Sequence, residues 1–163
     1  MELADVVQWA WARHHNLLSW YIRPLFLLPF CYFAYQRSLV GIVGTLLALA
    51  TSMFWFPAPT TVSPGVQAML DAERDYLLGE WTVAKLALAL LVPLMLTALA
   101  MAFWVRSFLW GLVVLNLMTV TKIAWTFAYA PAEGAFAHLI PALLGLGVCN
   151  GMVLLARRWI RSS

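Results

Sequence analysis

The chain is 163 residues long, and 64% of its residues are hydrophobic while only 10% are charged. An ordinary soluble domain has about 45–50% apolar and about 25% charged residues, so this composition excludes such a domain and indicates an integral membrane protein. The net charge of +3 comes from scattered basic residues, without the clustered Lys and Arg of a nucleic-acid-binding surface. We therefore expect the lipid bilayer, and no nucleic acid, to be a partner.

Five apolar segments approach the length of about 20 residues that a helix needs to cross the hydrocarbon core of a bilayer. In chain order, these segments are 17–35, 38–56, 81–105, 108–130 and 135–156. Each is expected to be helical, because lipid offers no hydrogen-bond partners to the backbone. The sequence therefore predicts an all-α membrane protein, a single domain over 1–163 that is built as a bundle of about five transmembrane helices.

The first apolar segment, 17–35, is irregular because it contains Arg23, Pro24 and Pro29. A second interpretation makes this segment re-entrant, which leaves four spanning helices. We favour the spanning interpretation, since insertion scales give a central Arg a cost of only about 2.5–3.5 kcal/mol, which the surrounding apolar residues can outweigh.

The one long connection, 57–80, contains a short predicted helix. Ser63 suits the N-cap and Pro64 the first helical position, while Gly79 suits the C-terminal end. Apolar residues form one stripe of the segment 64–79, which predicts an amphipathic helix lying on the membrane surface.

Basic residues determine the predicted orientation, because cytoplasmic loops of membrane proteins carry an excess of Lys and Arg. With the N-terminus outside, five arginines face the cytoplasm: Arg37, Arg106, Arg157, Arg158 and Arg161. We therefore predict a protein of a bacterial inner (plasma) membrane, with its N-terminus outside, its C-terminus in the cytoplasm and the loop 57–80 outside.

In this orientation, several polar residues fall near the outer side of the bundle. Arg23 and Lys122 lie within spans, and an ionisable residue inside a membrane is a functional candidate by default. We expect them to be the deep cations of a ligand-binding cavity open to the outer face. Further candidates at its mouth are Glu73, Asp75, Glu80, Glu133 and His138. The competing interpretation is that the long basic side chains extend to the interface without any site.

Metal binding is a weaker hypothesis. Neutral imidazoles ligate metals and haem iron, and two carboxylates four residues apart on a helix suit a divalent cation. The residues concerned are His14, His15, His138, Asp71 and Asp75. Because no ligand-spacing motif supports them, we predict no cofactor and keep haem or a divalent metal as an alternative.

Small and amide side chains mark predicted helix contacts, because glycines let membrane helices approach closely and asparagines bond between helices. These residues are Gly41, Gly44, Gly147, Gly151, Asn116 and Asn150. Such faces either close the bundle or join copies, so we expect a homo-oligomer or a place in a larger membrane complex.

Signature motifs of metalloproteases, thiol oxidoreductases, phosphate-binding loops and serine hydrolases are absent from the sequence, and no nucleophile–base pair can be assembled. We therefore favour a function without catalysis. The leading hypothesis is a transporter, channel or ligand-binding protein that uses the outer polar cavity. The alternatives are a non-catalytic accessory subunit of a larger complex, and a membrane enzyme or haem-binding protein that uses the outer histidines and acids.

Overall fold

The structure, a computed structural model, describes residues 2–162; the side chain of Arg161, counted above among the basic residues, lies outside the described part. Over this range the regular secondary structure is entirely helical, and there is no strand. The helices are α1 (Leu3–His14), α2 (Leu17–Leu25), α3 (Leu27–Tyr35), α4 (Leu39–Thr51), α5 (Pro64–Leu78), α6 (Val83–Trp104), α7 (Phe108–Tyr129) and α8 (Ala132–Ser162). A 3₁₀ turn, Ser52–Phe54, follows α4. The all-α prediction is confirmed.

Four helical segments of the described chain, not five, are long and apolar enough to cross a membrane: Leu17–Tyr35, Val83–Trp104, Phe108–Tyr129 and Ala132–Ile160. The segment predicted as the second span is too short. It consists of 13 residues of α4 and three of the 3₁₀ turn, which together extend roughly 25 Å, whereas the hydrocarbon core is about 30 Å thick. Pro57 prevents the helix from extending further, because the residue before a proline is disfavoured in the helical conformation.

The first of the four segments is bent into two helices. Pro24 lies inside α2, where it removes one backbone hydrogen bond, and the chain passes from α2 to α3 at Phe26. As a result, α2 packs against α8, while α3 packs against α4 and α6. The two prolines that made this segment irregular in sequence therefore divide it between two sets of neighbours.

The main apolar core lies where α3, α6, α7 and α8 meet, away from α5. It is formed by the buried residues Phe30, Cys31, Ala34, Leu99, Phe103, Leu115, Cys149 and Val153. Beside this core, Asn116 of α7 and Asn150 of α8 exchange two side-chain hydrogen bonds, of 2.9 and 3.2 Å. These bonds fix the register of the two helices.

The glycines predicted to mark helix contacts behave differently from one another. Gly41 packs against the ring of Phe33, but a Cβ atom added at Gly44, Gly147 or Gly151 would meet no other atom within 4 Å. The close approach of α8 to α2 occurs at Gly145 instead, where an added Cβ would lie 2.3 Å from the Cβ of Pro24.

Two turns at one end of the bundle have the same construction. Arg37 and Arg106 both adopt the left-handed conformation, with φ of 57° and 58°, and the serine that follows each caps the next helix. The nine-residue segments 33–41 and 103–111 both read Phe, then Arg-Ser, then Gly. Each arginine also contacts a residue beside the other turn. The Arg37 Nε donates to the carbonyl oxygen of Trp104, and the Arg106 guanidinium lies over the ring of Tyr35.

At the opposite end, α5 forms where it was predicted. The Ser63 side chain accepts from the backbone N–H of Val66, and the helix ends at Gly79. Its apolar face, however, lies on protein rather than on a membrane surface: Val66, Met69 and Leu70 are buried in a cluster with Trp20, and Trp11, Trp125, Ala130 and Ala137 pack against it. The helix α5 thus forms a roof over the ends of α2, α7 and α8.

Candidate functional site

Five basic, acidic or imidazole side chains, each from a different helix, line one cavity. It lies beneath the α5 roof and the end of α1. The five residues are His14 of α1, Arg23 of α2, Glu73 of α5, Lys122 of α7 and His138 of α8. The cavity has a volume of about 310 Å³. Of the residues predicted to form the ligand site, Arg23, Lys122, Glu73 and His138 are therefore brought together.

Arg23, His14 and Glu73 form a chain of polar contacts. The Arg23 Nη2 lies 2.9 Å from the His14 Nδ1. Because a guanidinium only donates hydrogen bonds, Nδ1 accepts this one and the proton of the neutral imidazole is on Nε2. That Nε2 lies 3.5 Å from the Glu73 Oε2. The buried imidazole of His14 therefore connects a cation to a carboxylate.

The surroundings of Glu73 favour its ionised form. Its hydrogen bond with His14 is the largest effect and lowers the pKa of the carboxyl group, and the charges of Lys122 and Arg23 act in the same direction. Burial raises the pKa of Glu73 but is outweighed. The cavity therefore contains a carboxylate at neutral pH that already has a partner.

Lys122 stands at the junction of two cavities. Besides the first, it lines a second cavity of about 360 Å³ between α5, α6 and α7, and its side chain is exposed. The Lys122 Nζ lies 4.5 Å from the ring centroid of Trp125. Among the side chains that the structure describes, the only basic and acidic groups within 4 Å of each other are those of His14 and Glu73, so the ammonium group of Lys122 has a ring contact and no paired carboxylate.

His138 contributes a polar atom without a partner. Its ring lies against that of Trp20, with the centroids 5.6 Å apart. The Nδ1 of His138 is buried and forms no hydrogen bond with any residue that the structure describes. Buried polar atoms without partners are uncommon in proteins, and a bound water or ligand is one physical explanation.

The polar wall of the cavity carries a net positive charge. Arg23 and Lys122 contribute two positive charges, Glu73 contributes one negative charge, and His14 is neutral in the arrangement described above. The remaining wall is largely apolar and includes Leu27, Leu49, Leu96, Leu115 and Leu146. Two cations with one carboxylate beside apolar walls form a site suited to binding a negative group.

The other acids predicted at the mouth of the site lie elsewhere. Asp75, Glu80 and Glu133 are exposed, and none of them lines either cavity. The reason for Asp75 is helical geometry. Glu73 lies three and four residues after Leu70 and Met69, on the buried face of α5, whereas Asp75 points away from it. Glu133 lies in the first turn of α8, where a negative charge favours the helix.

The candidate metal ligands do not assemble in the described part of the chain. The His15 Nδ1 lies 2.8 Å from the carbonyl oxygen of Trp11, and Asp71 accepts a hydrogen bond from Gln67. Residues 2–162 contain no group of three or more His, Cys, Asp or Glu side chains arranged to hold a metal ion. Adjacent in sequence, His14 and His15 have different surroundings, and only His14 lines the cavity.

Comparisons with protein-family models, with curated protein sequences and with solved structures found no match for this chain. The class that the fold and the site define is a helical bundle with a polar cavity at one end, in which four described helices are apolar enough to span a membrane. Since a fold alone does not determine a function, the function must be argued from the cavity.

Proposed function

We propose that this is a membrane-embedded, non-catalytic binding protein of the carrier type, whose cavity takes the anionic group of a ligand between Arg23 and Lys122. The observation that carries the proposal is that these two cations share an apolar-walled cavity with a single carboxylate. That carboxylate, Glu73, is already engaged with His14. One positive charge is therefore left for a ligand to neutralise.

An anion suits this site for two physical reasons. Beside apolar walls the attraction between a cation and an anion is less screened than in water, so the cations favour a negative group in the cavity. Arginine also presents several N–H donors in a planar fork that matches phosphate and carboxylate groups. The buried Nδ1 of His138, which has no partner among the described residues, offers a further polar contact.

The membrane setting of the proposal is supported by the outer faces of the helices, where large apolar side chains are exposed. They include Val40, Val83, Leu94, Leu109 and Leu155. Exposed apolar surface of this extent is unusual on soluble proteins and typical of lipid contact. We place the end with Arg37 and Arg106 in the cytoplasm, as in a bacterial inner membrane, and the cavity in the outer half of the bilayer.

The proposal is tested by calorimetric titration of the protein in a nonionic detergent with butyl phosphate and with butanoate. We expect Arg23→Met and Lys122→Met each to weaken binding about 10- to 100-fold, because each removes a charged contact worth about 1.5–3 kcal/mol.

The matched control is Arg74→Met, because Arg74 belongs to the same helix as Glu73 but is exposed and lines neither cavity. Its affinity for either anion should equal that of the wild type. Equal affinities in all variants, or no binding of either anion to the wild type, would contradict the proposed function.

A further inference from the structure

The cavity has a polar end and an apolar end. All five polar side chains described above lie near the roof, and the wall continues along α7 and α8 away from them. On α7 the wall extends from Lys122 back to Leu115, which is seven residues earlier, or about 10 Å along the helix axis. On α8 the wall extends from His138 to Cys149, which is about 16 Å along the helix axis. The polar group of a ligand would therefore occupy only one part of the space.

The open side of the cavity faces sideways. Above it, His14, Trp20 and Met69 are buried, so the roof is closed by packed side chains. No close packing joins α2 to α6 among the described helices, since α2 packs on α8 and α6 packs on α3 and α7. Val92 of α6 lines both cavities and is 61% exposed. In a bilayer this side would face the lipid chains.

The second cavity adjoins the first beside α6 and α7. It shares Glu73, Val92, Met118 and Lys122 with the first, and the rest of its wall is mostly apolar. A molecule that reaches Lys122 from the side of α6 would therefore move along apolar surface until its head meets the cations. This arrangement favours a ligand that is itself apolar at one end.

We infer that the ligand is an anionic amphiphile of lipid type, which enters from the bilayer between α2 and α6. Its acidic head lies between Arg23 and Lys122, and one hydrocarbon chain lies along Leu27, Leu49 and Leu96. This inference rests on the proposed anion-binding function and adds the chemical class of the ligand and its route.

A small soluble anion would use only the polar end and leave the apolar wall unfilled. For an amphiphile presented from water, each methylene buried against that wall strengthens binding about fourfold. The positive charges of the cavity bind the acidic head group, and the apolar wall binds the hydrocarbon chain. The two contributions can be separated by varying the length of the chain on one constant head group.

The test compares butyl phosphate with octyl phosphate by calorimetric titration of the protein held in amphipol without free micelles, so that both ligands start from water. We expect the wild type to bind octyl phosphate at least 100-fold more tightly than butyl phosphate. Leu49→Trp fills the chain site, so within this variant the ratio of the two affinities should fall at least tenfold below the wild-type ratio. Leu96→Phe, on another helix, should act in the same direction.

The control on the same helix is Leu47→Trp, because Leu47 is 62% exposed and lines neither cavity; this variant should retain the wild-type ratio. If the wild type binds both phosphates equally, or if Leu49→Trp and Leu96→Phe both retain the wild-type ratio, the amphiphile inference is wrong while the proposed anion site stands. If neither phosphate nor butanoate binds to the wild type, both proposals are wrong.

Discussion

At the scale of single residues, the site depends on one neutral imidazole. His14 accepts a hydrogen bond from Arg23 through Nδ1 and faces Glu73 through Nε2. Its backbone carbonyl also accepts a hydrogen bond from the indole N–H of Trp20, which ties α1 to α2. The side chain of His14 therefore holds the cation and the carboxylate apart in fixed positions, which leaves Lys122 as the cation without a close partner.

The two adjacent histidines offer a matched pair of variants. We expect His14→Ala to lower the free energy of unfolding by about 1–3 kcal/mol, because it leaves the Arg23 and Glu73 groups without their hydrogen-bond partner. His15→Ala should have a smaller effect, since the His15 ring bonds only to a carbonyl of its own helix. Denaturant unfolding of both variants in detergent measures the difference. Equal effects would contradict the role of His14 as the hydrogen-bond partner of Arg23 and Glu73.

At the same scale, the sequence predicted part of the site. Arg23 and Lys122 were identified because charged residues are rare within apolar segments. Glu73 was not separated from Asp75 and Glu80, although its spacing from Val66 and Leu70 already placed it on the apolar stripe of α5. The pairing of Arg23 with His14 had no local signal, because it arises only when α1 folds back over the bundle.

At the scale of helices, α5 and α8 make a close backbone contact. A Cβ atom added at Gly134 would lie 2.8 Å from the backbone nitrogen of Met69, and one added at Gly65 would lie 2.9 Å from the carbonyl oxygen of Glu133. Only glycine allows this approach, which brings Glu73 over the cavity. The position of the roof therefore depends on two residues without side chains.

Gly134→Ala tests that contact. The added methyl group meets backbone atoms, which cannot rotate away, so we expect a loss of about 1–3 kcal/mol in the free energy of unfolding. Gly147→Ala is the control on the same helix, where an added Cβ meets nothing within 4 Å, and it should be neutral or stabilising. Thermal unfolding would contradict the account if Gly147→Ala destabilised the protein more than Gly134→Ala.

Helix positions followed from local sequence better than helix lengths did. Apolar length predicted α6 and α7, and Ser63 and Gly79 predicted α5, each to within two residues, because these signals act over one or two turns. The segment 38–56 was counted as a span from its apolar residues, but its helical structure covers only 39–54, a length that the apolar count does not determine. The packing of α5 on protein rather than lipid depends on α8, which no local pattern describes.

At the scale of the whole molecule, charge is distributed unevenly along the bundle. Arg37 and Arg106 lie together at one end, while α5 and its acids lie at the other. In the proposed membrane setting, this asymmetry predicts that position 80 is outside the cell and position 162 is inside.

Labelling of intact cells with a membrane-impermeant maleimide tests this orientation. Glu80→Cys should react from outside, and Ser162→Cys should react only after the membrane is permeabilised. The native Cys31 and Cys149 are buried, so the wild type serves as the unlabelled control. Labelling of Ser162→Cys, but not of Glu80→Cys, in intact cells would reverse the orientation.

The central claim is that the cavity binds an anion because its wall carries one excess positive charge. Lys122→Glu changes that net charge from about +1 to about −1. The account predicts that calorimetric titration will show the wild type binding butyl phosphate and not butylammonium, and Lys122→Glu the reverse, with Arg74→Glu behaving as the wild type. An unchanged preference in Lys122→Glu would contradict the account.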